Sequence, residues 1–185
     1  AHGLGVVAGG KGSSYVDGNQ VPVPLQMGTL SKAIGGYGGY LCASQPVIDF
    51  IRTRARSFIY TTGLPPATIA AAIASLELIA SDKELVAKPM QHAKLFTDTL
   101  GLPEPESCIV PVILGAAEKA LEAGTALEDQ GFIVTPIRPP TVAEDTSRLR
   151  VTFTAEHQET DVLRLAEAVR PFLPDEPIDP FAERP

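Results

Sequence analysis

The apolar positions of this chain fall into short blocks separated by glycine, proline and small polar residues, and the period within each block predicts its element. Residues 1–22 hold no sustained period; their glycines and serines, including Gly9-Gly10-Lys11-Gly12-Ser13-Ser14, predict loop. Residues 23–27 form a short apolar run that predicts a strand despite Pro24, and the run delivers the chain to Gly28-Thr29-Leu30-Ser31-Lys32. After a glycine-rich turn, Gly35-Gly36-Tyr37-Gly38-Gly39, residues 40–43 read as a buried strand. Pro46 fits the first turn of a helix reaching about Arg54, capped by Ser44 or Gln45, with Val47, Phe50 and Ile51 on one face. The β-branched and aromatic run Phe58-Ile59-Tyr60-Thr61-Thr62 predicts a further strand.

Pro65-Pro66 opens a helix rich in Ala, Ile and Leu that reaches about Ala80, and Ser81-Asp82 can cap a second helix over 83–100. A Pro- and Glu-containing connection, 101–107, follows. Beyond it the pattern predicts strand 109–114, helix 116–130, strand 132–135, loop 137–147, strand 148–154 and helix 159–172. Strands alternating with helices predict an α/β fold with its own small core. The domain boundaries expected are 1–80, 81–173 and a Pro-rich tail, 174–185, poorly ordered or pinned only locally.

Composition narrows the functions. Of the 185 residues 44% are hydrophobic, enough for a buried core. The net charge of -7 makes nucleic acid and anionic membranes poor partners, but leaves room for a local cationic pocket. No apolar run reaches membrane-spanning length, and the start of the chain lacks the pattern of a secretory signal. The chain opens at Ala1-His2-Gly3 without an initiator Met and reads as cut from a larger protein. Cys42 and Cys108 lie far apart with no CxxC, and His2, His92 and His157 show no metal-ligand spacing. The expectation is therefore no metal, no disulfide framework and a cytoplasmic location.

Lys32 is the candidate for chemistry. It follows Thr29 by three residues, has Ser31 beside it, and sits on a glycine-flanked turn between two apolar runs. A lysine amine forms imines once it is desolvated or placed near other cations. The Thr29 hydroxyl and nearby backbone N–H groups can hold a phosphate, and glycine lets backbone come close. By pattern alone, a solvated surface lysine on a loop is an equal reading.

Gly28-Thr29-Leu30-Ser31-Lys32-Ala33 followed by Gly38-Gly39-Tyr40 resembles the α-oxoamine synthases, pyridoxal-phosphate (PLP) enzymes of the aspartate-aminotransferase fold type. Ala1-His2-Gly3-Leu4-Gly5-Val6 is similar to the end of that family's Asp-x-Ala-His motif, and Tyr60-Thr61-Thr62-Gly63-Leu64-Pro65-Pro66 to its segment before a Pro pair. Ile137-Arg138-Pro139-Pro140-Thr141-Val142 and Arg148-Leu149-Arg150-Val151-Thr152 are similar to two C-terminal signatures. The resemblance covers nearly all of residues 1–157.

What it implies is an α/β fold made of the C-terminal part of a PLP-binding large domain, 1–80, and a small α/β domain, 81–173. Lys32 would carry PLP as a Schiff base and act as acid and base at the substrate Cα. Thr29 would contact the cofactor phosphate or hold the turn, and His2 would bond the phenolic oxygen of PLP. Thr61 and Thr62, the latter preferred, would reach the phosphate in a neighbouring subunit of a homodimer with shared sites. Arg150 would pair with the amino-acid carboxylate, Thr141 would line the substrate end, and Arg148 would be structural or solvated. Without the motif, Arg150 reads as a surface ion pair and His2 as a disordered terminal residue. His157 reads as a cap or packing residue, His92 as solvated or partly buried, and Tyr37 and Tyr40 as packing around the glycines.

Family members join an amino acid to an acyl thioester with loss of CO2. The Ile137–Val142 loop is most similar to biotin-pathway members, which use alanine and a pimeloyl thioester; members using glycine with succinyl or acetyl thioesters are the alternative. The family's aspartate for the pyridine nitrogen would fall just before Ala1. The isolated chain is therefore expected to bind PLP weakly and turn over little. A non-catalytic or dimerisation module derived from such an enzyme, and an aminotransferase of the same fold, are the competing readings.

Overall fold

The structure is a computed structural model and describes residues 1–178. Within it the chain divides into two compact units, Ala1–Ala87 and Lys88–Pro185.

The first unit opens as irregular turns, with one antiparallel bridge between Leu4 and Lys11 and a small hairpin of β1 (Tyr15–Val16) and β2 (Asn19–Gln20). β3 (Leu25–Thr29) then pairs antiparallel with β4 (Gly39–Ala43), placing Gly28 opposite Tyr40 and Thr29 opposite Gly39. α1 (Gln45–Arg54) starts with proline in its first turn after Ser44, whose side chain makes no capping bond. α2 (Arg56–Ile59) is a short helix where residues 58–62 were expected to be a strand. Phe58 N–H and Ile59 N–H both bond the Ala55 carbonyl, so local helical turns override the β-branched composition. α3 (Pro66–Ser81) is apolar almost all round, yet Ala72 is its one buried residue. Residues 40–43, expected to be a buried strand, are mostly exposed in β4, and Val47 and Phe50 of α1 are exposed as well. The two-stranded β3–β4 ribbon leaves much of its apolar surface open to solvent.

α4 (Lys83–Leu100) begins where the Asp82 carboxylate accepts the Leu85 N–H at 2.9 Å, the capping bond that the sequence predicts. The second unit is a three-stranded antiparallel sheet in the order β5 (Ile109–Gly115), β7 (Ser147–Thr152), β6 (Thr135–Ile137), with α5 (Ala117–Glu128) and α6 (Glu159–Val169). A 3-10 turn, Arg170–Phe172, ends α6. One face of the sheet, with Val110, Val112, Leu114, Leu149 and Val151, packs on Phe96, Leu127, Val162 and Val169 from the helices. The Phe96 and Phe153 rings stand 5.3 Å apart in that core.

β6 begins at Thr135, not 132, and runs through Pro136 to Ile137, the residue at which a loop was expected to begin. Pro136 is tolerated because β6 is an edge strand. Its ring packs on Gly124 of α5, where an added Cβ would meet Pro136 Cγ at 3.3 Å. Of the tail, Ile178 comes within 3.1 Å of the Cβ position at Gly115. The expectation for 179–185 lies outside the described residues.

Candidate active site

Lys32 sits at the tip of the connection between β3 and β4, and backbone bonds close that connection from several sides. Leu30 N–H donates to the Gly38 carbonyl at 2.9 Å, Gly36 N–H to Leu30 at 2.7 Å and Gly35 N–H to Lys32 at 2.8 Å. The Thr29 hydroxyl donates to the Gly38 carbonyl at 3.1 Å, accepts the Ser31 N–H at 3.2 Å and lies 2.7 Å from the Ser31 hydroxyl. Ile34, 3% exposed, is the apolar peg of the turn, and Ser75 of α3 donates its hydroxyl to the Ile34 carbonyl at 2.8 Å. Gly35 and Gly38 take positive φ, 71° and 106°, which glycine adopts without strain.

Two other motifs reach this turn within the first unit. An added Cβ on Gly5 would lie 2.7 Å from Ala33 Cβ, so the His2-bearing segment packs beside the residue that follows Lys32. An added Cβ on Gly38 would lie 2.9 Å from Leu64 Cδ2, so the Thr-Thr-Gly-Leu-Pro-Pro segment touches the same turn. A groove of about 300 Å³ is lined by Ala1, Gly3, Gly28, Thr29 and Tyr40, with Lys11 also on its wall. His2 is exposed, as are Thr61 and Thr62 in the turn between α2 and α3. The Lys32 side chain is exposed, and no ion pair among the described residues involves it.

The second unit carries Arg150 and Thr141. Arg150 lies on β7 opposite Pro111 and Thr135, on the face of the sheet away from the core, and is exposed. Thr141 is exposed in the loop before β7, with its N–H donating to the Arg138 carbonyl at 3.1 Å. Arg148 shares the face of Arg150, is half-buried, and donates its Nε–H to the Thr146 carbonyl at 2.9 Å. Burial holds its pKa below the usual guanidinium value.

Two histidines clamp the backbone just after β7. His92 is 6% exposed, and its Nδ1 lies 2.9 Å from the Thr154 carbonyl, which makes Nδ1 the donor. The Thr154 N–H donates to His157 Nδ1 at 3.2 Å, which puts the proton of that ring on Nε2. The His157 ring also meets Phe153 edge-on at 6.1 Å. Sequence reasoning had His157 as a cap or packing residue but gave no sign of the shared Thr154 backbone. Nor did it single out Ser75, whose signal is a lone hydroxyl in the otherwise apolar stretch 69–76. Tyr40 packs on Gly28, whereas Tyr37 is 65% exposed.

Among the described residues no cluster of His, Cys, Asp and Glu could hold a metal ion, and no helix is long and apolar enough to cross a membrane. Both cysteines are free, Cys42 exposed and Cys108 buried.

A family model described as aminotransferase class I and II matches residues 5–169. An 8-amino-7-oxononanoate synthase from Methylocella silvestris is 62% identical over 170 residues, covering 92% of this chain and 48% of the relative. One from Beijerinckia indica is 59% identical over 174 residues, covering 94% of this chain and 45% of the relative. The chain spans about half the length of the curated relatives it matches. Among solved structures, SPT with PLP internal aldimine superposes with a TM-score of 0.84 at 27% identity, covering 92% of this chain and 45% of that one.

Proposed function

The chain belongs to the aminotransferase class I and II family, and from that premise we propose that it serves as the Lys32-bearing part of an 8-amino-7-oxononanoate synthase. The reaction joins L-alanine to a pimeloyl thioester and releases CO2 and the free thiol carrier. The observation that carries this reading is the Lys32 turn, braced by Thr29, Ile34 and Ser75, in a chain 62% identical to a relative of that name.

The residues of the first unit fit PLP. Lys32 is exposed rather than desolvated within this chain, and no carboxylate among the described residues pairs with it, so its amine is accessible to an aldehyde cofactor. The cofactor's phosphate needs hydroxyl and N–H donors; the Ser31 hydroxyl can turn to one, whereas the Thr29 hydroxyl and the Gly35 and Gly36 N–H groups already donate within the turn. Thr61 and Thr62 are further donors for a phosphate, and His2 for the phenolic oxygen. When bound, PLP supplies the electron sink for negative charge at the substrate Cα.

The chain's own residues then divide the work. Lys32 Nζ takes the Cα proton from alanine and returns one to the product carbon, which demands an amine held at a fixed height above its turn. Arg150 grips the amino-acid carboxylate through its planar fork of donors, which fixes that end of the substrate. Thr141 lines the substrate end of the site. A homodimer and a cytoplasmic location belong to the same proposal; exposed Phe50, Phe58 and Tyr60 support an interface, and the two free thiols support a reducing compartment.

The test is spectroscopic and chemical. Purified protein mixed with PLP should show an imine absorbance band, borohydride should fix the label on the peptide bearing Lys32, and Lys32→Ala should show neither. Whatever turnover the chain supports should favour alanine with pimeloyl-CoA over glycine with succinyl- or acetyl-CoA. PLP fixed on another lysine, or a preference for glycine, would overturn the proposal.

A further inference from the structure

The central strand of the second unit carries two arginines on one face. Ser147, Leu149 and Val151 point into the core, so Arg148, Arg150 and Thr152 share the opposite side of β7. Each arginine has its own cross-strand surroundings. Arg150 stands between Pro111 and Thr135, whereas Arg148 stands between Ile113 and Ile137.

Arg148 is the unusual one. Its guanidinium stays charged at any ordinary pH, yet it is half-buried between isoleucines. Among the described residues its side chain makes one hydrogen bond, from Nε to the Thr146 carbonyl. The chain holds 22 acidic residues against 15 Lys and Arg, so carboxylates are in surplus. Even so, the ion pairs among the described residues engage Lys94, Arg164 and Arg170, and neither Arg148 nor Arg150 has one. Drawing a cation partly out of water without a counter-charge is unfavourable, so a half-buried arginine whose remaining donors still reach solvent gains by pairing with an anion from elsewhere.

We propose that Arg148 is a specificity-determining residue that holds the free carboxylate at the far end of the acyl substrate, while Arg150 holds the carboxylate of the amino acid. The inference rests on the function proposed above. Ile113 and Ile137 on either side of Arg148 give a methylene chain an apolar surface, and the guanidinium meets the anionic end of that chain. Residues two apart on a strand are separated by about 6.6 Å at Cα, and long arginine side chains splay further. That separation suits the two ends of one condensation product better than two groups on a single carbon. The face is thus matched to an acyl donor derived from a diacid.

Two measurements test this, one of which needs no turnover. Calorimetric titration of the full chain with pimelate, monomethyl pimelate and heptanoate should give the tightest binding for the diacid. Arg148→Gln should remove about tenfold of that preference, because the diacid engages Arg148 and Arg150 together whereas a monoacid can still sit on Arg150, as expected for loss of a charge-assisted bond. Arg148→Lys should restore part of it, and circular dichroism should show both variants folded. In the PLP-loaded enzyme, Arg148→Gln should raise KM for pimeloyl-CoA, but not for its methyl ester or for alanine, whereas Arg150→Gln should raise KM for alanine. Equal loss for diacid and monoacid, or no loss, overturns the role of Arg148. Should Arg148→Gln not fold, an unchanged diacid preference in Arg148→Lys overturns it instead. Failure of the synthase reading alone would leave the diacid preference and its loss in Arg148→Gln intact, so the two failures are distinguishable.

Discussion

Tyr40 lies so close over Gly28 that no side chain can be placed between them. The two residues face each other across the β3–β4 pair, and a Cβ built on Gly28 would run into Tyr40 Cζ and Oη. Gly28 is therefore a close-approach glycine just ahead of the turn that presents Lys32. Gly28→Ala should cost about 1–3 kcal/mol by overpacking. Tyr40→Ala in the same chain should recover most of that loss, so the double mutant should be less destabilised than the sum of the singles. Thermal melts of the four proteins check it.

The clamp on Thr154 makes a second prediction. His92 is buried and bonds the Thr154 carbonyl, while His157 accepts the N–H of the same residue. His92→Ala leaves a cavity and an unpaired carbonyl and should cost about 2–4 kcal/mol. His157→Ala, at an exposed position, should cost about 1 kcal/mol or less. Denaturant melts with unchanged m-values are the measurement. A larger loss at His157 than at His92 would contradict the geometry.

The thiols should differ in reactivity. Cys42 is exposed and Cys108 is buried, and burial pushes the Cys108 thiol above the usual thiol range. In native protein, iodoacetamide should modify Cys42 at mildly alkaline pH and leave Cys108 untouched until denaturant is added; peptide mass spectrometry reads the difference. The sign of the linkage follows. The folded chain holds the Cys108 proton more tightly than the unfolded one, so this contribution to stability is present below the ordinary thiol pKa. It is lost as pH rises through the raised value.

Much of the second unit was legible because its signals are local and redundant. Asp82 caps α4 at the expected place, and the apolar period of α4 and α6 matches a face that is buried. β6 was displaced because Pro136 reads as a breaker, and only the sheet order, which makes β6 an edge, shows why it is tolerated. The first unit was less legible because apolar composition was taken to mean burial. Leu25, Met27, Leu41 and Phe50 are exposed, since the β3–β4 ribbon has little packed over it within the described chain. The Lys32 turn stood out through Thr29, Ser31 and the glycines, whereas Ser75, which braces it from 41 residues away, has no local pattern to betray it.

Thr29 allowed two roles in the sequence, phosphate contact or keeper of the turn, and its bonds distinguish what each role would predict. Its hydroxyl already donates to the Gly38 carbonyl and accepts the Ser31 N–H. Thr29→Val keeps the shape and the strand preference but removes both bonds, so the protein without cofactor should lose about 1–2 kcal/mol. Thr29→Ser keeps the hydroxyl and should lose less. A residue serving only a phosphate would instead leave the cofactor-free melt unchanged and weaken PLP binding alone. Melting each variant with and without PLP separates the cases. Because the same bonds fix the backbone that presents Lys32, Thr29→Val should also slow imine formation at Lys32 relative to Thr29→Ser, a difference that stopped-flow absorbance can read.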